Sequence, residues 1–480
     1  MLFNSVEFFF FLATVLFVYH TGPAVLKRPL LLAASYVFYM SWNPAYGLLL
    51  FAVTLLSYAV GRGMESVRRH ARILLWAGIG AHLAVMFIFK YYSFFSENVN
   101  WTLGRLSLGW DAPAVEILLP IGISFYVFQS LSYMVDVYRR QVGAERNLWL
   151  YMLYISFFPQ LVAGPIERAS NLLPQLRKDH SFDKEGLRSG LVLIATGLFK
   201  KMVLAENLSI LVSAAFFRPE TRGGLGLYLG ALMARYMIYC DIAGYTDIAL
   251  GCGRAFGIRL SKNFDRPFAA RNISEYWQRW HMTLSGWFRD YVFYSLAAGP
   301  LARFGVPVLV FVTFLLLGLW HGASWNFVIW GCVNGGMVVV YQSTRGWREK
   351  FQVPAALRTA FTFLALVGLP TVFVVTKDVG QSLFAFKKIF GVFSQAGDWW
   401  DIGWLFEGRN AVYLLSSAVF IGGMEIAQKL NEKEPVLETI GRWPAGRRRL
   451  AYAVLGLVAV AAVGLIFFRQ TNTAFVYFQF

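Results

Sequence analysis

Two histidines are the residues in this sequence best suited to chemistry. His321 lies in Leu317-Gly318-Leu319-Trp320-His321-Gly322-Ala323-Ser324-Trp325-Asn326, between the uncharged run Val308 to Leu317 and the apolar run Phe327 to Tyr341. An ionisable group in such surroundings is costly to keep and is a functional candidate by default. A histidine satisfied by a backbone carbonyl is the bland alternative for this stretch taken alone. Glycines at 318 and 322 remove side-chain bulk on both sides, which would let another group approach the imidazole. Forty residues earlier stands His281, and a second histidine of this kind points to a shared site. Imidazole titrates near pH 6.5 and burial favours its neutral form, so it suits a base that takes the proton of an attacking hydroxyl.

The segment Glu275 to Tyr291 that carries His281 reads as one amphipathic helix. Trp277, Trp280, His281, Leu284, Trp287, Phe288 and Tyr291 share one face at helical spacing, and Gln278, Arg279, Ser285 and Arg289 share the other. Aromatic residues on one side and arginines on the other place such a helix in the cytoplasmic interface of a membrane. Asn263-Phe264-Asp265-Arg266-Pro267-Phe268 leads into it and is expected to position it. Asp241 and Asp247 are expected to be structural, held by arginines such as Arg235, Arg254 or Arg266. His82, on an apolar helix without polar company, reads as core.

The elements around these residues belong to a membrane. Of 480 residues, 57% are hydrophobic and only 15% charged, against about a quarter charged in a soluble chain. No polar stretch is long enough for a second domain, so residues 1–480 read as one polytopic membrane domain. The net charge of +17 falls mostly in short loops between apolar runs, where the positive-inside rule acts. It implies orientation, anionic lipid headgroups and an acidic or phosphate-bearing donor on the cytoplasmic side, and argues against nucleic acid. Cys240, Cys252 and Cys332 form no C-x-x-C pair, so neither a disulfide framework nor a metal site is indicated. No G-x-x-x-x-G-K-[ST], H-E-x-x-H or G-x-S-x-G occurs, which removes ATP-driven pumps, zinc proteases and ordinary serine hydrolases.

Along the chain, Val6 to His20 reads as a retained first helix with its N-terminus outside, since its positive charges, Lys27 and Arg28, follow it. Pro29 to Trp42 and Ala45 to Val60 are joined at Asn43-Pro44, and the loop Gly61 to Arg72 is cytoplasmic. Ile73 to Phe95 crosses outward to a polar loop, Ser96 to Asp111, and Ile117 to Val137 crosses back to the basic residues Arg139 to Arg146. Leu148 to Val162, interrupted by Pro159 and flanked by basic loops, is expected to dip in and return. Leu191 to Phe217 carries Lys200 and Lys201 in its middle and is expected to be broken or interfacial. Leu225 to Gly251, Gly305 to Leu319, Trp325 to Tyr341, Ala360 to Val375, Val412 to Ile426 and Leu450 to Phe468 complete ten to twelve membrane elements, with no internal repeat.

Trp280-His281, Leu319-Trp320-His321-Gly322, Phe158-Pro159-Gln160-Leu161-Val162-Ala163-Gly164-Pro165-Ile166 and Asp241 to Asp247 together resemble the membrane-bound O-acyltransferase family. From Ala34-Ser35-Tyr36-Val37-Phe38-Tyr39 to Phe475-Val476-Tyr477-Phe478-Gln479-Phe480, the chain looks like its bacterial alginate O-acetylation branch. The resemblance implies an all-α helical ring with re-entrant and interfacial helices and a central tunnel, its catalytic core at about residues 117–343. It implies His321 as the catalytic histidine and His281 as its less constant companion, at a position where many eukaryotic members have Asn or Asp. The function it implies is transfer of acetyl from a cytoplasmic thioester, acetyl-CoA, across the bacterial inner membrane for O-acetylation of an exopolysaccharide such as alginate. A periplasmic O-acetyltransferase partner would complete the transfer, and no bound cofactor is implied. Arg266, Arg279 and Arg289, with Trp280, Trp320 and Asn326, are the expected donor-binding residues.

The outer-face tail, 470–480, has four aromatics in its last six residues and is expected to dock, as an aromatic belt or with Tyr477 as an acyl relay. Two other readings of the sequence remain open at this point. One is a polysaccharide or lipid exporter with pore-lining histidines; the other is a scaffold for a periplasmic transferase.

Overall fold

The computed structural model describes residues 1–109, 111–113, 118–391, 396–431 and 442–450, together with Ala453 and Gly456. Among these residues regular structure is helical throughout. Five continuous helical stretches are long and apolar enough to cross a membrane: Pro44–Ser66, Arg68–Arg105, Pro300–His321, Ala355–Val375 and Arg409–Asn431. A 23-residue helix such as the first rises about 34 Å, more than the hydrocarbon thickness of about 30 Å. The crossing expected at Leu450 to Phe468 and the tail with Tyr477 lie outside the described residues, apart from Leu450, Ala453 and Gly456.

The chain divides into two compact units. The first comprises residues 1–195, 245–263 and 281–335. It opens with α1 (Val6–Thr21), α2 (Ala24–Met40) and α3 (Pro44–Ser66). Ser5 caps α1 through its hydroxyl, and the Asn43 carboxamide accepts from Ala45 N–H at 3.0 Å to start α3, as the Asn43-Pro44 turn implies. α4 (Ala71–Met86), a π-helical turn at Phe87–Tyr91 and α5 (Tyr92–Arg105) form the 38-residue stretch. The polar loop expected from Ser96 is therefore helix as far as Arg105. Asn98 Nδ2 donates to the Phe94 carbonyl at 2.7 Å and Thr102 Oγ1 to that of Asn98 at 2.8 Å, so these polar side chains fold back on their own helix. His82 is fully buried with Nδ1 2.8 Å from the Gly78 carbonyl, a core residue as read.

α6 (Ile123–Tyr138) is buried along nearly all its length. α7 (Leu148–Ser156) and α8 (Phe158–Leu161) are the two pieces of the segment interrupted by Pro159, both buried almost throughout. The break suits a proline that cannot donate to a helical ladder. α9 (Ala169–Arg177) and α10 (Lys184–Leu198) follow.

The second unit comprises residues 196–244, 264–280 and 336–480. Lys200 and Lys201 occupy a π-helical turn, Phe199–Ala205, that leads into α11 (Glu206–Phe216), so this segment is locally distorted without being severed. Lys201 Nζ pairs with Asp241 on α12 (Gly224–Ala255), and both side chains are 1% exposed. Asp241 is thus structural, as expected, with a lysine as its partner and not Arg235. Such a pair is costly to desolvate and costlier to break.

Candidate active site

α16 (Gly305–His321), which follows α13 (Ile273–Arg279), α14 (Met282–Trp287) and α15 (Tyr294–Ala297), delivers His321 at its last residue. α17 (Trp325–Ser343) then packs back against it, backbone to backbone. A Cβ on Gly331 would lie 2.6 Å from the Phe314 carbonyl oxygen, and one on Gly318 would lie 2.9 Å from Gly331 Cα. Only glycine permits that approach, the small-residue contact typical of membrane helices. The space expected beside the imidazole at Gly318 and Gly322 is therefore already filled: the Phe327 carbonyl abuts Gly318 and the Phe327 ring covers Gly322. These glycines fix the turn instead of opening it.

The His321 imidazole is half-buried, packed between Phe327, with ring centroids 6.2 Å apart, and the edge of Trp330, at 5.0 Å. Trp320 lies against both histidines. Its ring is 5.0 Å from His321 at 74° and 6.4 Å from His281 at 90°. Phe125 and Phe128 of α6 close the cluster, at 5.8 Å and 5.7 Å from Trp320. The structure thus brings His281, Trp320 and His321 together, forty sequence positions notwithstanding.

His281 does not lie within the single amphipathic helix that the sequence pattern predicts. It stands between α13 and α14 with φ 43° and ψ 54°, a left-handed conformation that breaks the helix. Asn263 supplies the competing partners. Its carbonyl accepts from Met282 N–H at 2.7 Å, and its side-chain oxygen accepts from Thr283 N–H at 3.2 Å and Thr283 Oγ1 at 2.9 Å. The Thr283 hydroxyl also accepts from Ile166 N–H at 3.1 Å, tying in the proline-rich segment. Trp287 anchors α14 to α6 by stacking on Phe128 at 3.8 Å and donating to the Phe128 carbonyl at 2.9 Å.

The predicted faces survive the break: Trp277, Trp280, His281, Leu284, Trp287 and Phe288 are buried, and Gln278 and Arg289 are exposed. The His281 side chain is 1% exposed, and burial pushes its imidazole down to about 3, so it is neutral at physiological pH.

Lys90, which the sequence reading passes over, belongs to this cluster. It lies in the π-helical turn of the 38-residue span, its Nζ donates to the Trp320 carbonyl, and it sits 5.3 Å from the centre of the Trp320 ring. The Lys90 amine is thereby held at the C-terminal end of α16, next to His321, where the helix leaves carbonyls unsatisfied. A lysine inside an otherwise apolar run was its one signal in the sequence.

The expected donor-binding residues fare differently. Trp320 and Asn326 are buried, Trp320 within the histidine cluster. Arg289 is bound to Asp290 at 2.8 Å, and Asp290 also meets Arg168 at 3.3 Å. In the second unit, Arg279 pairs with Glu275 at 2.8 Å, Trp280 is buried, and Arg266 adopts a left-handed backbone, φ 47°, ahead of Pro267. Among the described residues no group of three or more His, Cys, Asp or Glu side chains could hold a metal ion.

Residues 144–369 match the family model described as MBOAT, membrane-bound O-acyltransferase family. The chain is 35% identical to the probable alginate O-acetylase AlgI of Pseudomonas putida, over 82% of this chain and 80% of the relative. It is 37% identical to the protein of the same description in Azotobacter vinelandii, over 81% and 78%. The peptidoglycan O-acetyltransferase of Helicobacter pylori is 30% identical over 82% and 80%.

Proposed function

Because the chain belongs to the membrane-bound O-acyltransferase family and is an acyltransferase, we propose that it takes acetyl from a cytoplasmic thioester, acetyl-CoA, and passes it across the bacterial inner membrane for O-acetylation of an exopolysaccharide such as alginate. The observation that carries this reading is the Trp320 cluster, with a half-buried His321 at the end of an apolar helix and a buried His281 on the same indole. Relatives named for alginate and for peptidoglycan support an envelope glycan as the final acceptor.

In the transfer step His321 takes the proton of the attacking hydroxyl as its oxygen bonds to the thioester carbonyl carbon. The C–S bond then breaks, and His321 returns that proton to the departing thiolate. His281 or a backbone N–H near Gly322 stabilises the tetrahedral oxyanion, and Lys90 supplies positive charge one residue from His321. The donor's phosphates belong at the basic segment 254–289: in the second unit Arg279 exchanges Glu275 for phosphate, with Arg266 and Trp280 as further donor contacts, and in the first Arg289 exchanges Asp290 for phosphate, with Trp320 and Asn326 as further contacts. The N-terminus is outside, and a periplasmic O-acetyltransferase receives the acetyl group, directly or by way of Tyr477.

The test is acetyl-CoA turnover by the full-length protein purified in detergent. The wild type releases CoA thiol, by transfer or by leakage of acetyl to water, and His321→Ala does not, although it is obtained folded in equal amount. An exporter would leave the thioester intact. If His321→Ala kept half of wild-type turnover, His321 would have no place in the mechanism, and unchanged polymer acetylation by that variant would favour the scaffold.

A further inference from the structure

Within the second unit an arginine lies buried without a counter-ion among the described residues. Arg235, on α12, is 4% exposed, its guanidinium carbon 3.8 Å from the centre of the Trp280 ring and 5.3 Å from that of Tyr276. Those two rings stack on one another at 5.6 Å and 22°. The guanidinium makes no hydrogen bond or ion pair among the described residues, and its Nε is sealed from solvent without an acceptor. Asp241, on the same helix, pairs with Lys201, and Glu275, next to Tyr276 in the chain, pairs with Arg279. The Tyr276 hydroxyl is likewise buried without a partner. An unpaired cation and an unpaired hydroxyl, both desolvated, thus meet in one aromatic setting. Cation–π contact offsets only part of what a charge loses on leaving water. Both donors are complete when an anionic oxygen accepts from them, and the planar guanidinium fork suits two oxygens at once.

We propose that Arg235 and Tyr276 form a binding site for an oxyanion, a phosphate or a carboxylate carried by a substrate of the acyl transfer. The Arg235 fork donates to two oxygens of the anion, the Tyr276 hydroxyl donates to one of them, and Trp280 supports the guanidinium from behind. Trp280 directly precedes His281 in the sequence. The identity of the substrate rests on the function proposed above: the oxyanion is either a phosphate of the thioester donor or a uronate carboxylate of the acceptor glycan. Neither Arg266, Arg279 nor Arg289 is needed for this site.

The experiment uses the full-length protein in detergent, with CoA and a uronic-acid oligosaccharide as probes, and pantetheine and a neutral glucan oligosaccharide as their uncharged counterparts. Equilibrium binding and thermal melting are measured for the wild type, Arg235→Gln, Arg235→Lys and Tyr276→Phe. Arg235→Gln should weaken one charged probe about 10- to 100-fold and its uncharged counterpart less than twofold, with Arg235→Lys in between. Tyr276→Phe should weaken the same probe about 3- to 10-fold. Loss confined to CoA makes the ligand a phosphate, and loss confined to the oligosaccharide makes it a carboxylate. The charged probe that binds should raise the melting temperature of the wild type and not of Arg235→Gln.

The proposal is overturned if neither charged probe binds the wild type, or if Arg235→Gln and Tyr276→Phe both bind as it does. It is equally overturned if Arg235→Gln melts several degrees lower and the wild type gains nothing from either probe, the mark of a structural arginine. Should Arg235→Gln not fold, Tyr276→Phe decides alone. Acetyl-CoA turnover of the wild type is measured alongside: absence of turnover sinks the acetyl-transfer reading, whereas unaltered binding sinks only this site.

Discussion

Replacing Gly331 by alanine adds one methyl group to α17, on the face that meets α16. The added carbon would stand 2.6 Å from the Phe314 carbonyl oxygen and 3.1 Å from Gly318 Cα, where ordinary contact begins at 3.4 Å. Both neighbours are backbone, so no side chain can rotate away, and the helices must separate by about 0.8 Å. Overpacking of this kind costs about 1–3 kcal/mol. Gly318 precedes His321 by less than one helical turn, so most of the displacement reaches the imidazole, while His281 and Lys90 are held from other elements. A misplacement near 1 Å lowers a rate by about 100-fold when reacting groups must be aligned. Gly331→Ala should therefore lower kcat by one to two orders of magnitude with KM for acetyl-CoA within about threefold of wild type, and lower the melting temperature by a few degrees. Gly80→Ala, where the added methyl meets nothing within 4 Å, is the control and should leave both unchanged. Wild-type kcat in Gly331→Ala, in protein shown by melting to be destabilised, would refute the idea that the α16–α17 contact sets the position of His321.

His281→Ala should impair acetyl transfer less than His321→Ala, since its side chain is sealed away; equal losses in well-folded proteins would mark the two histidines as one obligate unit. Lys90→Met, which keeps the stem and removes the ammonium, should lower kcat about 10-fold or more, with partial recovery in Lys90→Arg, and identical kcat in all three would dismiss Lys90 from the site. The His281 imidazole is lowered on folding, so the unfolded chain binds the proton first: its contribution to stability is complete above about pH 6.5 and is lost as pH falls toward 3. At pH 5 that loss is about 2 kcal/mol, and His281→Gln should show a correspondingly shallower fall in melting temperature between pH 7 and pH 5. Tyr477→Phe keeps the aromatic tail and deletes its hydroxyl; polymer acetylation at wild-type level would end the relay role, while acetylation lost with thioester turnover intact would establish it.

The sequence makes plain what depends on neighbours along the chain. The starts of α1 and α3, the run that becomes α16 and the return through α17 all follow from apolar periodicity bounded by charge, proline or glycine. A shared site for His281 and His321 is suggested by two histidines in apolar settings and by the family resemblance, but the Trp320 indole that both of them touch was not legible. Features set by distant partners stayed hidden. The helical pattern of Glu275 to Tyr291 holds on both sides of His281, and the break comes from Asn263, whose oxygens capture Met282 and Thr283 from the helix. Lys90 carries no local sign that its partner is a carbonyl 230 positions later. The glycines around His321 are legible as special, yet only the packing of α17 tells whether they open space or close it.

The left-handed backbone at His281 places a filter on that position ahead of any chemistry. Outside glycine, the residues that enter this region with least strain are asparagine, aspartate and histidine, whereas β-branched and bulky residues are excluded by clash with their own backbone. The Asn or Asp implied for eukaryotic members at this position is thus the set that the hinge tolerates, and their alternation with His need not reflect a change of reaction. A saturation library at 281 would be sorted first by foldability, with Val, Ile and Thr failing early, and only the survivors would report on catalysis.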